Sequence, residues 1–116
     1  MTSPNQPRKG EIWVVDFGKP MGHEQGFTRP AVVVSSDRMN STRAGLVIVV
    51  PLTTTQRDVP SQIAIEPNGT GLRDESYAKV EDIKSVSVER LVRRIGQAET
   101  SVLARIAGVA RMLLDL

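Results

Sequence analysis

Two short runs, Ala31-Val32-Val33-Val34 and Leu46-Val47-Ile48-Val49-Val50, hold no polar side chain and are dominated by β-branched residues. They are too short to be buried helices, and β-branched side chains fit a pleated surface packed from both sides. The runs therefore predict the two central strands of a sheet, and the rest of the chain must be arranged around them. Residues 10–17 alternate, with Trp13, Val15 and Phe17 on one face set against the polar Glu11 and Asp16, and predict another strand. Residues 62–66 read as a short alternating strand, Pro67-Asn68-Gly69-Thr70-Gly71 as a turn, and residues 76–80 as a further extended stretch. Residues 83–95 are ambiguous, because short strands and turns suit their apolar residues while Val88, Leu91, Val92 and Ile95 also fit a helical stripe. From a start near Thr100, Val102, Leu103, Ile106, Val109, Ala110, Leu113 and Leu114 recur at helical spacing, which predicts one amphipathic helix at the C-terminal end. Gly108 within that helix marks either close packing or simple tolerance. The expected fold class is mostly β with a C-terminal α-helix: a small, mostly antiparallel β-barrel under a helical lid.

A chain of 116 residues suits one domain, and at that size about 65% of the unfolded surface can be buried. Residues 1–9 are Pro-rich and polar and are expected to form a disordered tail, leaving residues 10–116 as the domain. The absence of cysteine excludes disulfides, a thiolate zinc site and a cysteine nucleophile. The first residues lack the apolar stretch of a signal peptide, and no eighteen apolar residues run together, so a soluble cytoplasmic protein with no membrane partner is expected. Formal net charge is only +2 and the cations form no long basic run, so any anion site has to be assembled by folding. The four aromatic residues, Trp13, Phe17, Phe27 and Tyr77, are too few for recognition by many base-stacking platforms.

The chemistry-bearing residues gather in two loops. Residues 18–28 contain three glycines and a proline without periodicity, and long loops of this kind in small domains are usually functional. Residues 36–45 are polar with room for one helical turn, and residues 53–60 form a second polar loop entered through Pro51. A single histidine forbids a histidine acid/base pair, and the carboxylates are scattered rather than set at metal-ligand spacing, so no metal is expected. Neither a Walker lysine motif nor a dinucleotide fingerprint is present, so no nucleotide cofactor is expected. Arg29, Glu24, His23 and the threonines after Pro51 remain. They suit attack of an RNA 2′-hydroxyl on the neighbouring phosphate, where the substrate supplies its own nucleophile. Arg29, its backbone biased to an extended form by Pro30, can hold two phosphate oxygens at once. Arginine is a poor base, so Glu24 is the candidate for proton transfer, with His23 as an alternative acid or base. Plainer readings stand beside these. Arg29 is also a plausible surface cation, Glu24, Gln25 and His23 solvated loop residues, and Thr53, Thr54 and Thr55 ordinary turn residues. Arg90, Arg93 and Arg94 form a solvated face or touch RNA phosphates, and Trp13 and Phe17 are most simply core.

The phrases Lys9-Gly10-Glu11-Ile12-Trp13-Val14-Val15-Asp16-Phe17, Gly22-His23-Glu24-Gln25, Arg29-Pro30-Ala31-Val32-Val33-Val34-Ser35, Val50-Pro51-Leu52-Thr53-Thr54 and Leu91…Ile95-Gly96 occur in this order. The ordered set resembles the MazF/PemK family of toxin endoribonucleases. The resemblance implies a Src-homology-3-like β-barrel of the MazF/CcdB/Kid plasmid-maintenance toxin type, a homodimer, and metal-independent cleavage of single-stranded RNA at short motifs. It also implies a cognate antitoxin with an acidic, disordered segment, and DNA binding by the toxin–antitoxin complex. By motif position Arg29 and Thr53 match the family's catalytic arginine and threonine, and Glu24 the acidic loop residue beside them. RNA contacts are then expected from His23, Gln25, Phe27, Thr28, Thr54, Arg57 and Lys79. One departure stands out. The family loop commonly reads Glu-Gln-x-Gly-x-Arg-Pro, whereas here glycine comes one place early as Gly26 and Phe27 fills the usual glycine position. Phe27 either stacks on a base or pins the loop to the barrel. Two rival functions use the same barrel, a gyrase-poisoning toxin and a non-catalytic RNA- or peptide-binding module.

Overall fold

The computed structural model describes residues 6–19, 21–23 and 26–116. Seven antiparallel strands run in chain order as β1 (Glu11–Asp16), β2 (Thr28–Val33), β3 (Leu46–Thr53), β4 (Gln62–Ile65), β5 (Ser76–Lys79), β6 (Lys84–Ser87) and β7 (Leu91–Gln97). A one-turn helix α1 (Asp37–Asn40) joins β2 to β3, and α2 (Thr100–Leu114) ends the chain. The ladder path is β4-β5-β3-β2-β1-β7, with β6 also paired to β3. The pairings follow this path without closing into a ring, and the strands wrap round two apolar clusters in a barrel-like arrangement.

Both apolar runs fall in strands, although β2 starts earlier at Thr28 and ends at Val33, one residue short of its run. β3 extends through Pro51 and Leu52 to Thr53 and is the trunk of the sheet. One edge pairs with β2, while the other pairs with β6 from Leu46 to Val49 and with β5 at Leu52 and Thr53. Pro51 falls in the interval where that second edge changes partner, the place in a central strand where a missing N–H removes least. Alternate residues of β1, β2 and β3 feed different clusters. Ile12, Val32, Val50 and Leu52 pack with Ile63, Ile65, Ala78 and Val80 beneath Val102 and Ile106 of α2. Trp13, Val15, Ala31, Val33, Val47 and Val49 pack with Val86 on the opposite face. Burial on both faces explains why the central strands carry no polar alternation.

Several expectations change in detail. Glu11, set against the apolar residues in the sequence, shares the face of Trp13 and Val15 in β1 and is 5% exposed. Its Oε1 accepts from the Arg8 N–H at 2.7 Å and from Trp13 Nε1 at 3.0 Å, and its Oε2 pairs with Arg94 Nη1 at 2.8 Å. A carboxylate can stay charged inside because donors surround it. Of the segment expected to be a tail, residues 1–5 lie outside the described residues, whereas Pro7 is buried and the Lys9 N–H donates to Asp37 at 2.7 Å. The ambiguous stretch resolves into β6 and β7 around a 3₁₀ turn at Val88–Arg90, with the Glu89 N–H donating to the Ser87 hydroxyl. Tertiary pairing decides it, since β7 has β1 to pair with and a helix there would leave that edge open. The helical stripe of α2 is buried at Val102 and Ile106, while Leu113 and Leu114 are 50% and 57% exposed.

The turn at residues 67–71 is locked to β7 by two glycines. A Cβ on Gly96 would lie 1.6 Å from the Thr70 carbonyl oxygen, and one on Gly71 would lie 1.8 Å from that of Ile95. Gly108 is the opposite case: no atom lies within 4 Å of its hypothetical Cβ, so the helix tolerates it without needing it. Gly96→Ala is therefore expected to lower unfolding free energy by about 2 kcal/mol or more, because backbone rather than a movable side chain must give way. Gly108→Ala is expected to raise it by about 0.5–1 kcal/mol through helix propensity. Urea denaturation of the two variants beside the parent checks both signs.

Candidate active site

The β1–β2 hairpin projects the first loop. Its last ladder pair is Asp16 with Thr28. The base is closed by Phe17 N–H to Phe27 O at 2.9 Å and Phe27 N–H to Gly18 O at 2.6 Å. That closure puts Phe27 at φ +61°, the left-handed region that glycine occupies freely and other L-residues enter at a penalty of about 1–2 kcal/mol. The residue that departs from the family pattern thus keeps the glycine-type backbone, and Phe27 is 62% exposed at the wall of the cleft.

Two residues beyond the hairpin base, Arg29 sits in β2 opposite Val15. β2 and β3 are in register at Ala31 with Pro51, and continuing that register two residues outward sets Arg29 across from Thr53. Central strands thus deliver both side chains to the same rim. Thr53 Oγ1 accepts the Thr55 N–H at 3.1 Å, which fixes the hydroxyl and leaves its single O–H to donate outward. Arg29 is exposed and contributes to the wall of the cleft.

Arg29, Thr53, His23, Phe27, Arg57 and Lys79 line one cleft of about 350 Å³, completed by Gly22, Gly26, Thr55 and Gln62. The described lining holds three fixed cations and no carboxylate, which is an anion-seeking surface. An adjoining hollow of about 250 Å³ shares His23, Arg57 and Lys79 and extends to Glu81 and Asp82. Among the described residues no three of His, Asp and Glu cluster as metal ligands would. Two expected contacts fall outside the cleft wall: Thr28 is exposed in the ladder opposite Asp16, and Thr54 is exposed beyond the rim. Glu24 and Gln25 lie outside the described residues.

Arginines 90 and 94 have structural partners. Arg90 Nη1 donates to the Asp16 carbonyl at 3.1 Å, and Arg94 holds Glu11. Phe17 is half-buried against the second cluster, with Lys84 Nζ 5.2 Å from its ring centroid. One wall residue, Gln62, carries no sequence signal of a site, and Thr55 stands out in the sequence only as one of the threonines after Pro51. Gln62 is simply the first residue of an alternating strand. The hydrogen bonds of Gln62 to Arg57 and Thr55 place it against the 54–61 loop.

The chain is similar to known proteins in both sequence and structure. The model of the family described as PemK-like, MazF-like toxin of type II toxin-antitoxin system matches residues 8–114. A curated protein named endoribonuclease MazF9, from Mycobacterium tuberculosis, is 40% identical over 114 residues, spanning 94% of this chain and 97% of that protein. A second, named probable endoribonuclease MazF, from Mycolicibacterium smegmatis, is 34% identical and spans 82% of this chain and 85% of its own. Among solved structures, MazF from Deinococcus radiodurans superposes with a TM-score of 0.84 at 26% identity, over 95% of this chain and 97% of that one. A chain of the MazE-MazF crystal structure from the same organism gives a TM-score of 0.80 at 26% identity, over 96% and 97% of the two chains.

The ladder beside Thr53 carries one perturbed group. Tyr77 is the cross-strand partner of Thr53, and its hydroxyl donates to Glu75 Oε1 at 2.6 Å. That hydrogen bond, then slight desolvation and the Glu75 charge, raises the Tyr77 pKa above 10.0. Because the folded value is the higher one, the contribution to stability is present below the ordinary tyrosine pKa and is lost as pH rises through the raised value. Ultraviolet titration of this single tyrosine is expected to give a midpoint above 10.0 that falls back towards it in Glu75→Gln.

Proposed function

We propose, since this chain belongs to the PemK-like, MazF-like family of toxins of type II toxin–antitoxin systems, that it is an endoribonuclease cutting single-stranded RNA at short sequence motifs, neutralised by a cognate antitoxin. The observation carrying the proposal is the meeting of Arg29 and Thr53 in one cationic cleft at the ends of neighbouring strands. The ribose 2′-oxygen forms a bond to the adjacent phosphorus as the bond from phosphorus to the 5′-oxygen breaks. The 2′-hydroxyl proton passes to Glu24 or to His23, and the departing 5′-oxygen takes a proton from solvent water. A 2′,3′-cyclic phosphate and a 5′-hydroxyl result. Arg29 neutralises the oxygens on which charge builds, and the free O–H of Thr53 donates to one of them. Such a reaction is served by cations and a hydroxyl, without a metal or other cofactor.

Two copies of the barrel forming a homodimer would pool modest charge into one groove, and an acidic, unfolded antitoxin segment would compete with RNA for it. Base preference is assigned to the loops around the cleft, where the exposed Phe27 ring offers a stacking surface. Among the described residues no helix is long and apolar enough to cross a membrane.

Arg29→Ala is expected to reduce cleavage about 10²–10³-fold, the usual loss on removing one transition-state donor. The measurement is mapping of 5′-hydroxyl ends after incubating purified protein with long mixed RNA and a metal chelator. Cleavage that survives unchanged in Arg29→Ala would overturn the assignment, and cleavage abolished by the chelator would overturn metal independence. Intact RNA combined with toxicity that persists in Arg29→Ala would favour a gyrase poison.

A further inference from the structure

We propose that Gln62 and Lys79 form a cross-strand clamp that fixes the two cleft loops relative to each other, so that both are positioning residues for sequence recognition. The two face each other as a registered pair of the β4–β5 ladder. From that shared base they reach in different directions. Gln62 Oε1 accepts the Arg57 N–H at 2.7 Å and its Nε2 donates to the Thr55 carbonyl at 3.3 Å, so one side chain holds the 54–61 loop at two points. Lys79 Nζ donates to the His23 carbonyl at 3.2 Å, across 56 residues of sequence, and thereby ties the first loop at His23.

The surroundings of Lys79 suit this task. Its side chain is 13% exposed and lies 3.9 Å from Asp82, whose other carboxylate oxygen meets Lys84 at 3.2 Å. An ammonium that shares a carboxylate with Lys84 and is aimed at a backbone carbonyl is held in place by the protein itself, as a positioning residue must be. Gln62 can bridge because its amide offers an acceptor and donors at one end, and the loop supplies an N–H and a C=O two residues apart. Loops of this length keep many conformations unless they are tied, and both loops are tied here to one rigid ladder. Arg57 and His23 then occupy set positions on the wall shared by the cleft and its neighbouring hollow.

The recognition part rests on the proposed ribonuclease activity, whereas the clamp itself does not, so the test has two arms. In the first, amide hydrogen exchange is followed in the purified protein without RNA. Gln62→Met keeps side-chain length and removes both bonds, and is expected to speed exchange at Arg57 about tenfold or more relative to the parent. Gln62→Glu keeps an acceptor and is expected to restore protection at Arg57. Unchanged protection in Gln62→Met overturns the clamp whatever the RNA result. In the second arm, cut sites are mapped in long mixed RNA. Gln62→Met and Lys79→Met are each expected to broaden the set of sequences cut, with kcat/KM at the preferred site reduced about tenfold. Releasing either arm already frees one loop from the other, so the double variant is expected to be no broader than the broader single variant. Additive broadening, or an unchanged cut-site profile in both single variants, overturns the recognition role. A parent protein that cuts no RNA defeats the ribonuclease reading, and the exchange arm still decides the clamp.

Discussion

β3 is the constraint on which the rest depends. It is buried on both faces and paired along both edges, first to β6 and then to β5, and the change of partner falls at Pro51. A strand so enclosed has one register available, because a slip of one residue would exchange its two cores. Its fixed end sets Thr53, its ladder to β2 sets Arg29, and its ladder to β5 sets the row from which Gln62 and Lys79 reach the loops. The polar site is therefore placed by apolar packing.

Polar groups inside this fold work as fasteners between distant segments. Glu11 gathers the Arg8 backbone, the Trp13 indole and the Arg94 guanidinium into one satisfied carboxylate, which joins the start of the chain to β1 and β7. Gln62 and Lys79 do the same at the rim for the two loops. At the opposed glycines, Gly71 and Gly96, the fastener is the absence of a side chain, which lets a turn and a strand approach backbone to backbone. The departure at Phe27 is absorbed in the same economical way: hairpin closure imposes the positive φ, and the ring is left exposed at the cleft.

Much of this was legible beforehand, for identifiable reasons. The β-branched runs, the turn at residues 67–71 and the C-terminal helical stripe are local patterns, and local patterns survive folding when tertiary contacts agree with them. Residues 83–95 were not legible, because the same apolar spacing serves a helix or a pair of strands until β1 and β3 provide edges. In the site, Arg29 and Thr53 stood out through their motif phrases. Gln62 did not, since a glutamine opening a strand looks identical whether its amide meets water or a loop backbone.

The amino-acid order by itself determined the element types of the core, the exclusion of cysteine chemistry, and which loops carry polar groups beside rigid strands. These follow from side-chain shape, hydropathy period and composition, which act over a few residues. Only the tertiary structure decided that Glu11 is buried, that Lys79 faces a carbonyl and Asp82, and that residues 62 and 79 share a ladder position. Each of those depends on which strands lie side by side, and that is settled by burying two apolar clusters at once.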